Sequence, residues 1–464
     1  MFPFCVLLLC LFREFDKNAN FSVVCIGAFH TPFHTRLVWR LSGFVFFVLL
    51  LLLTHFLREM LYMIFKLAKK YIFMRKNKID KLSSRKSKIK ITLMRALGII
   101  AVVCSHTSGG AVVFPMSNWI SPYLYFMPLF VFVSGFLYKC ESDNENIFYF
   151  ILQKIKSLVI PYFVWNILYG LLNTFFRSKS IINYGDDISL NSLFLRPWID
   201  GHQFHFNIPA WFMLSLFIDV VVIFLIRKIF IRLLNFKDLT ILLLTVLIAV
   251  VSIYFAKQGY NYGIYLGLIR AGFMLPYFQI GYICRKYETV ITKYRGFCIV
   301  GSAALIGVIV LFLQPASVQA VFARFSGNSF IITLLISASL LLLYSICELL
   351  EPAFIKNKVV KSLGDNTFSI MMHHGFVIFS INFCIFLLSK FTEISSFDSA
   401  RFSETLWYCC PWRSTNIYIV YVILGIIIPI FVKVLYDKFI IKCYDHILLK
   451  EQNYKMKTGN GFVS

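Results

Sequence analysis

Eleven positions separate an arginine from a histidine in one apolar stretch: Arg95, apolar residues 96–103, then Cys104, Ser105 and His106. At about 100° per residue, eleven steps make roughly three turns plus 20°, so both side chains share one helix face, about 16 Å apart along the axis. Two ionisable groups on one face of a membrane helix are expensive and mark that face as functional. An arginine near one end can grip a phosphate. A histidine, neutral near pH 7, can take a proton from a hydroxyl or act as a nucleophile. Three further sites place polar groups inside apolar stretches: Asp219, Arg270 and the pair His373-His374. Asp219 and Arg270 fall at similar depth, so they serve a ligand or pair with each other. The histidines are too dispersed for a metal site, with no carboxylate three or four residues on. No metal is expected.

These residues need helices to hold them, and the chain is rich in candidates. Of its 464 residues, 59% are hydrophobic, 18% aromatic and only 15% charged, with a mean hydropathy of +0.75. Apolar runs of about 18 residues recur throughout, which excludes a soluble domain and predicts an all-α polytopic membrane helix bundle. Ten core spans are expected near 91–112, 120–138, 151–174, 209–229, 238–256, 262–284, 297–313, 329–349, 367–389 and 417–442. The net charge of +24 does not indicate nucleic acid, because the basic residues lie between spans. Twelve cysteines show neither CxxC spacing nor a disulfide framework.

Loop charge sets the expected orientation. Segments 75–90, 227–237, 285–295 and 356–361 are basic, whereas 113–119, 257–261 and 314–328 hold only Lys257 and Arg324 between them. Both ends of the core are therefore expected in the cytoplasm, in the cell (inner) membrane. One inner loop, 139–150, breaks the pattern with Lys139 against Glu141, Asp143 and Glu145. Two outer loops, 175–208 and 390–416, carry His202, His205, Arg401, Glu404, Trp407, Trp412 and Arg413 among others. Such mixtures can stack on sugars, or simply form an interfacial aromatic belt with solvated charges.

A series of blocks then carries a family resemblance. Arg95 and His106, the run Met127–Phe136 (MPLFVFVSGF), Lys156–Trp165 (KSLVIPYFVW), Pro209–Met213 (PAWFM), Arg270 with Leu275–Tyr282 (LPYFQIGY), and Leu363–His374 (LGDNTFSIMMHH) follow one another in order. Together they resemble the integral-membrane acyltransferase-3 family, which O-acylates cell-surface glycans. The resemblance implies acetyl-CoA as cytoplasmic acyl donor and a surface polysaccharide, or its lipid-linked precursor, as acceptor. Glycan-assembly proteins are implied partners. Arg95 would hold a polar group of CoA and His106 would serve as base or acyl carrier; these two are the expected catalytic residues. Arg270, His374, Trp211 and Asp219 would bind or orient donor or acceptor. A different class remains in view: a polysaccharide exporter or flippase-like protein, which also uses intramembrane charges.

The expected organisation is an N-terminal extension, 1–89, a membrane domain, 90–445, and a short cytoplasmic tail, 446–464. The extension holds a marginal span at 41–57 and a basic linker. It is an extra membrane anchor or an upstream start-site artefact, since Met74 precedes a basic run suited to a cytoplasmic start.

Overall fold

The computed structural model describes residues 89–107, 122–233, 237–312, 317–392, 394, 396–410 and 418–438. The chain divides into two units, Ser87–Lys433 and a second formed by Met1–Lys86 with Val434–Ser464. The expected span at 41–57, nearly all of the basic linker, the tail 446–464, and Trp412 and Arg413 lie outside the described residues.

Ten helices occupy the ten expected segments: α1 (Ile89–Thr107), α2 (Pro122–Leu137), α3 (Ile147–Ser178), α4 (Trp211–Arg227), α5 (Asp238–Lys257), α6 (Gly263–Lys286), α7 (Arg295–Phe312), α8 (Ser329–Phe354), α9 (Thr367–Leu388) and α10 (Tyr418–Lys438). Eight helices among the described residues are long and apolar enough to cross a membrane. Of the other two, α2 is a shorter apolar helix, and α6 has the length but carries Arg270, Gln279, Arg285 and Lys286. Strand is confined, among the described residues, to a small hairpin of β1 (Ser317–Gln319) and β2 (Arg324–Ser326). The protein is an all-α polytopic bundle.

Local chemistry starts several of these helices. Asn146 accepts from the amides of Phe148 and Tyr149 to cap α3, and Asn328 caps α8 in the same way through Phe330 and Ile331. Within α3, a π-helical turn over Ile155–Val159 precedes Pro161, whose missing N–H and ring disturb the regular ladder.

Helix α6 lies centrally, packed on α2, α4 and α5. The α2–α6 crossing is set by two glycines that reciprocate. A Cβ on Gly135 would meet the Phe278 carbonyl oxygen at 1.9 Å, and one on Gly281 would meet that of Phe132 at 2.0 Å. Each helix therefore presses bare backbone against the other, the small-residue packing that brings membrane helices close.

At the basic end of the bundle, the loop that broke the charge pattern is explained. Asp143 is buried and accepts from Arg227 Nη2 at 2.8 Å and from the Tyr138 hydroxyl at 2.7 Å. Arg227, with no exposed side-chain surface, also bonds Asp238 at 3.2 Å and Gln279 at 3.1 Å, and stacks over Tyr282 at 3.6 Å. A second buried cation, Lys90, is met by Glu288 at 2.6 Å, Glu348 at 2.8 Å and the Tyr344 hydroxyl at 2.8 Å.

Candidate active site

The last turn of α1 presents His106. Two hydroxyls bond carbonyls of this turn: Thr107 donates to Val103 and Cys104, and Tyr123 donates to Ser105 at 2.8 Å. His106 stays half-buried, so part of its ring is reachable. Across from it, α9 supplies His374, which is fully buried. Helix α10 backs the pair with Gly425, where a Cβ would lie 3.8 Å from His374 Cβ.

The hydrogen bonds around the two rings fix their tautomers. His374 Nδ1 lies 2.8 Å from the carbonyl oxygen of Ile370, which can only accept, so Nδ1 carries the proton. In a neutral ring the other nitrogen, Nε2, is then an acceptor. It sits 2.8 Å from His106 Nδ1, which must donate to it. Neutral His106 is therefore protonated on Nδ1 and keeps the Nε2 lone pair available. The chain of donors runs one way, from His106 through His374 to a backbone oxygen, and leaves one base pointing outward from it.

His373, adjacent in sequence, belongs to a separate contact: its Nδ1 lies 2.6 Å from the Tyr169 hydroxyl of α3, with the Trp165 ring edge-on at 4.3 Å. The helical offset of about 100° between neighbours sends one histidine to α1 and the other to α3.

Arg95 stands at the other end of α1. Its Nη2 bonds the Gly364 carbonyl and reaches Asp365 at 3.3 Å, while Nε is buried without a partner. Gly364 belongs to the short helix Lys358–Asp365, capped by Asn357, which lies so close to α1 that a Cβ on Gly364 would come within 2.5 Å of Thr92. Arg95 thus has spare donor capacity at a site where backbone and one carboxylate already orient its plane.

Arg270 and Asp219 do not pair, contrary to one expectation for them. Arg270 donates to the carbonyls of Asp200 at 3.1 Å and of Val321, and lies over the Trp211 ring at 4.4 Å. It ties the loop before α4 and the hairpin to α6. Asp219 is fully buried with both oxygens unpartnered, as is the Ser215 hydroxyl one turn earlier. None of the contacts made by His106 involves Trp211, Arg270 or Asp219. In the loop beside Arg270, burial and the nearby guanidinium push His202 down to about 4, against the opposing pull of Asp200.

One contact of His106 escapes helical spacing altogether. The indole of Trp407, in the loop between α9 and α10, stacks on the His106 ring with centroids 4.4 Å apart and planes 17° from parallel. Only its aromatic character signalled it in the sequence, because the contact joins residues 301 positions apart. A cleft of about 310 Å³ near the C-terminal end of α3, lined by Thr174, Arg177, Asn183 and Asp187, contains none of these groups. Among the described residues no cluster of three or more His, Cys, Asp or Glu could hold a metal ion.

The bundle thus carries, on one helix, a histidine with a set tautomer and an arginine held by a neighbouring helix. The chain belongs to the acyltransferase-3 family: the family model described as an acyltransferase domain matches residues 88–436. No curated protein and no solved structure matches the chain. The protein is a membrane acyltransferase.

Proposed function

We propose that this acyltransferase moves an acyl group, acetyl in the simplest case, from cytoplasmic acyl-CoA to a hydroxyl of a surface polysaccharide or its lipid-linked precursor. The observation that carries this reading is the His106–His374 hydrogen bond, whose direction leaves the His106 Nε2 lone pair free. Arg95 supports the donor side, with a side chain 26% exposed and so open to a phosphate of CoA, eleven residues before His106 on the same helix. Eleven residues of α1, about 16 Å of rise, separate anchor from base, as a donor with its phosphates far from its thioester requires.

In this mechanism His106 Nε2 takes the hydroxyl proton as the acceptor oxygen attacks the thioester carbonyl carbon. The new C–O bond forms, the C–S bond breaks, and the departing thiolate recovers the proton from His106 Nε2. Throughout, His106 Nδ1–H remains on His374, so the ring does not turn between the two proton transfers.

The test uses the full chain in its own membranes. His106→Ala is expected to lower ester content on purified surface glycan by about 10²-fold or more, read by mass spectrometry, with the protein still present in the membrane. Wild-type ester content in that variant overturns the base. Loss of glycan from the surface with its ester content unchanged indicates an exporter instead.

A further inference from the structure

We infer that Trp407 stabilises the positive charge that His106 acquires during acyl transfer, through the π face of its indole; this rests on the reading of His106 as the base. The requirement comes from what surrounds the histidines. Among the described residues, no Asp or Glu carboxylate hydrogen-bonds or ion-pairs with His106 or His374; their partners are each other, the backbone at Ile370 and Met371, and Trp407. An imidazolium formed at the end of a membrane helix has little water to solvate it, and an uncompensated charge there is costly.

The indole face supplies the missing negative potential. An aromatic ring is negative on its face, and tryptophan binds cations best of the aromatic side chains when the cation lies within about 6 Å of the centroid. At 4.4 Å and 17°, the two rings are in that arrangement. Stacking covers a face of the imidazole, whereas the Nε2 lone pair lies in the ring plane, so the platform leaves the reacting edge open. The indole forms and breaks no bond. The charge arrives with the hydroxyl proton and leaves when that proton passes to the thiolate.

The platform is built rather than casual. Leu406 beside it is buried, and the Trp407 amide donates to Thr405 Oγ1 at 3.3 Å. Asn382 of α9 donates to the Tyr408 carbonyl at 2.6 Å and accepts from the Tyr421 hydroxyl of α10 at 2.6 Å; that hydroxyl in turn accepts from the Cys410 amide at 3.2 Å. The helix that bears His374 therefore also holds the loop that bears Trp407. Trp407 is a positioning residue acting through His106.

The test replaces Trp407, in the full chain in membrane vesicles, with mono- to tetrafluorinated tryptophans, which weaken the negative face while nearly keeping ring shape. Incorporation of label from radiolabelled acetyl-CoA into endogenous glycan is measured, with protein abundance checked by immunoblot. The logarithm of the rate is expected to fall in step with the fluorine count, by about tenfold across the series. Trp407→Phe should fall within that range and Trp407→Leu below it. A flat fluorine series, with His106→Ala inactive, overturns the role of Trp407 and leaves the base standing. Retained incorporation in His106→Ala overturns the base and this inference with it.

Discussion

At His106 the two ring nitrogens have different tasks because His374 occupies one of them, and His374 can do so only because Ile370 takes its own proton. The arrangement resembles the way a third group orients a base in other hydrolytic and transfer sites, with a backbone carbonyl at the end of the chain. His374→Ala removes the acceptor for His106 Nδ1–H, so His106 spreads over both tautomers and more ring orientations. The expected outcome is a loss of about tenfold or more in labelled acetyl incorporation, with the acetyl-CoA concentration for half-maximal rate unchanged. His374→Gln, whose side-chain oxygen can accept the same proton, should recover part of the loss. A purely structural His374 would show equal losses in both variants, tracking protein abundance. Spacing on one helix made Arg95 and His106 readable as a pair. Equal depth on two helices was a poorer guide, since depth says nothing of facing: Arg270 turned to loop carbonyls and left Asp219 alone.

Helices α2 and α6 show what the family blocks mean physically. The Gly in each of MPLFVFVSGF and LPYFQIGY is the point where one backbone touches the other. Gly281→Ala inserts a methyl group against the Phe132 carbonyl, so the helices must separate. A destabilisation of about 1–3 kcal/mol is expected, read as a lowered midpoint of thermal unfolding in detergent, whereas Gly301→Ala on α7, where a Cβ meets nothing within 4 Å, should be neutral to slightly stabilising. The ten segments were legible because each is a local run of apolar residues of sufficient length. One boundary slipped where a cap starts a helix: Asn146 begins α3 four residues before the apolar run suggested. The Trp407 platform was not legible, because it depends on Asn382 and Tyr421 closing the loop between α9 and α10 so that it folds back onto α1.

Across the whole molecule, the charges that the apolar pattern treats as exceptions fasten the bundle at its basic end. Arg227 joins the loop after α2 to the start of α5 and to α6, and its two carboxylate partners are buried with it. Arg227→Met strands Asp143 in the interior, at a cost of about 3–5 kcal/mol, while Asp238 keeps its pair with Lys286. Chemical unfolding of the purified protein should show that loss. The double change Arg227→Met, Asp143→Asn should recover most of it, since the buried carboxylate is then neutral and Asp238 still pairs with Lys286. At the larger scale, α1 and the segment Lys358–Leu388 meet twice, through Arg95 on Gly364 and Asp365 at one end and His106 on His374 at the other. Two attachments, one on the short helix and one on α9, make a calliper with its jaws locked along α1. For the proposed reaction, the gap between where a donor is gripped and where its thioester is opened is set by helical rise and not by any loop. Donors with longer acyl chains cannot be accommodated by sliding the base outward; their extra carbons must find room beyond His106, so tolerance for acyl length is a property of the space around Trp407 and not of the grip at Arg95.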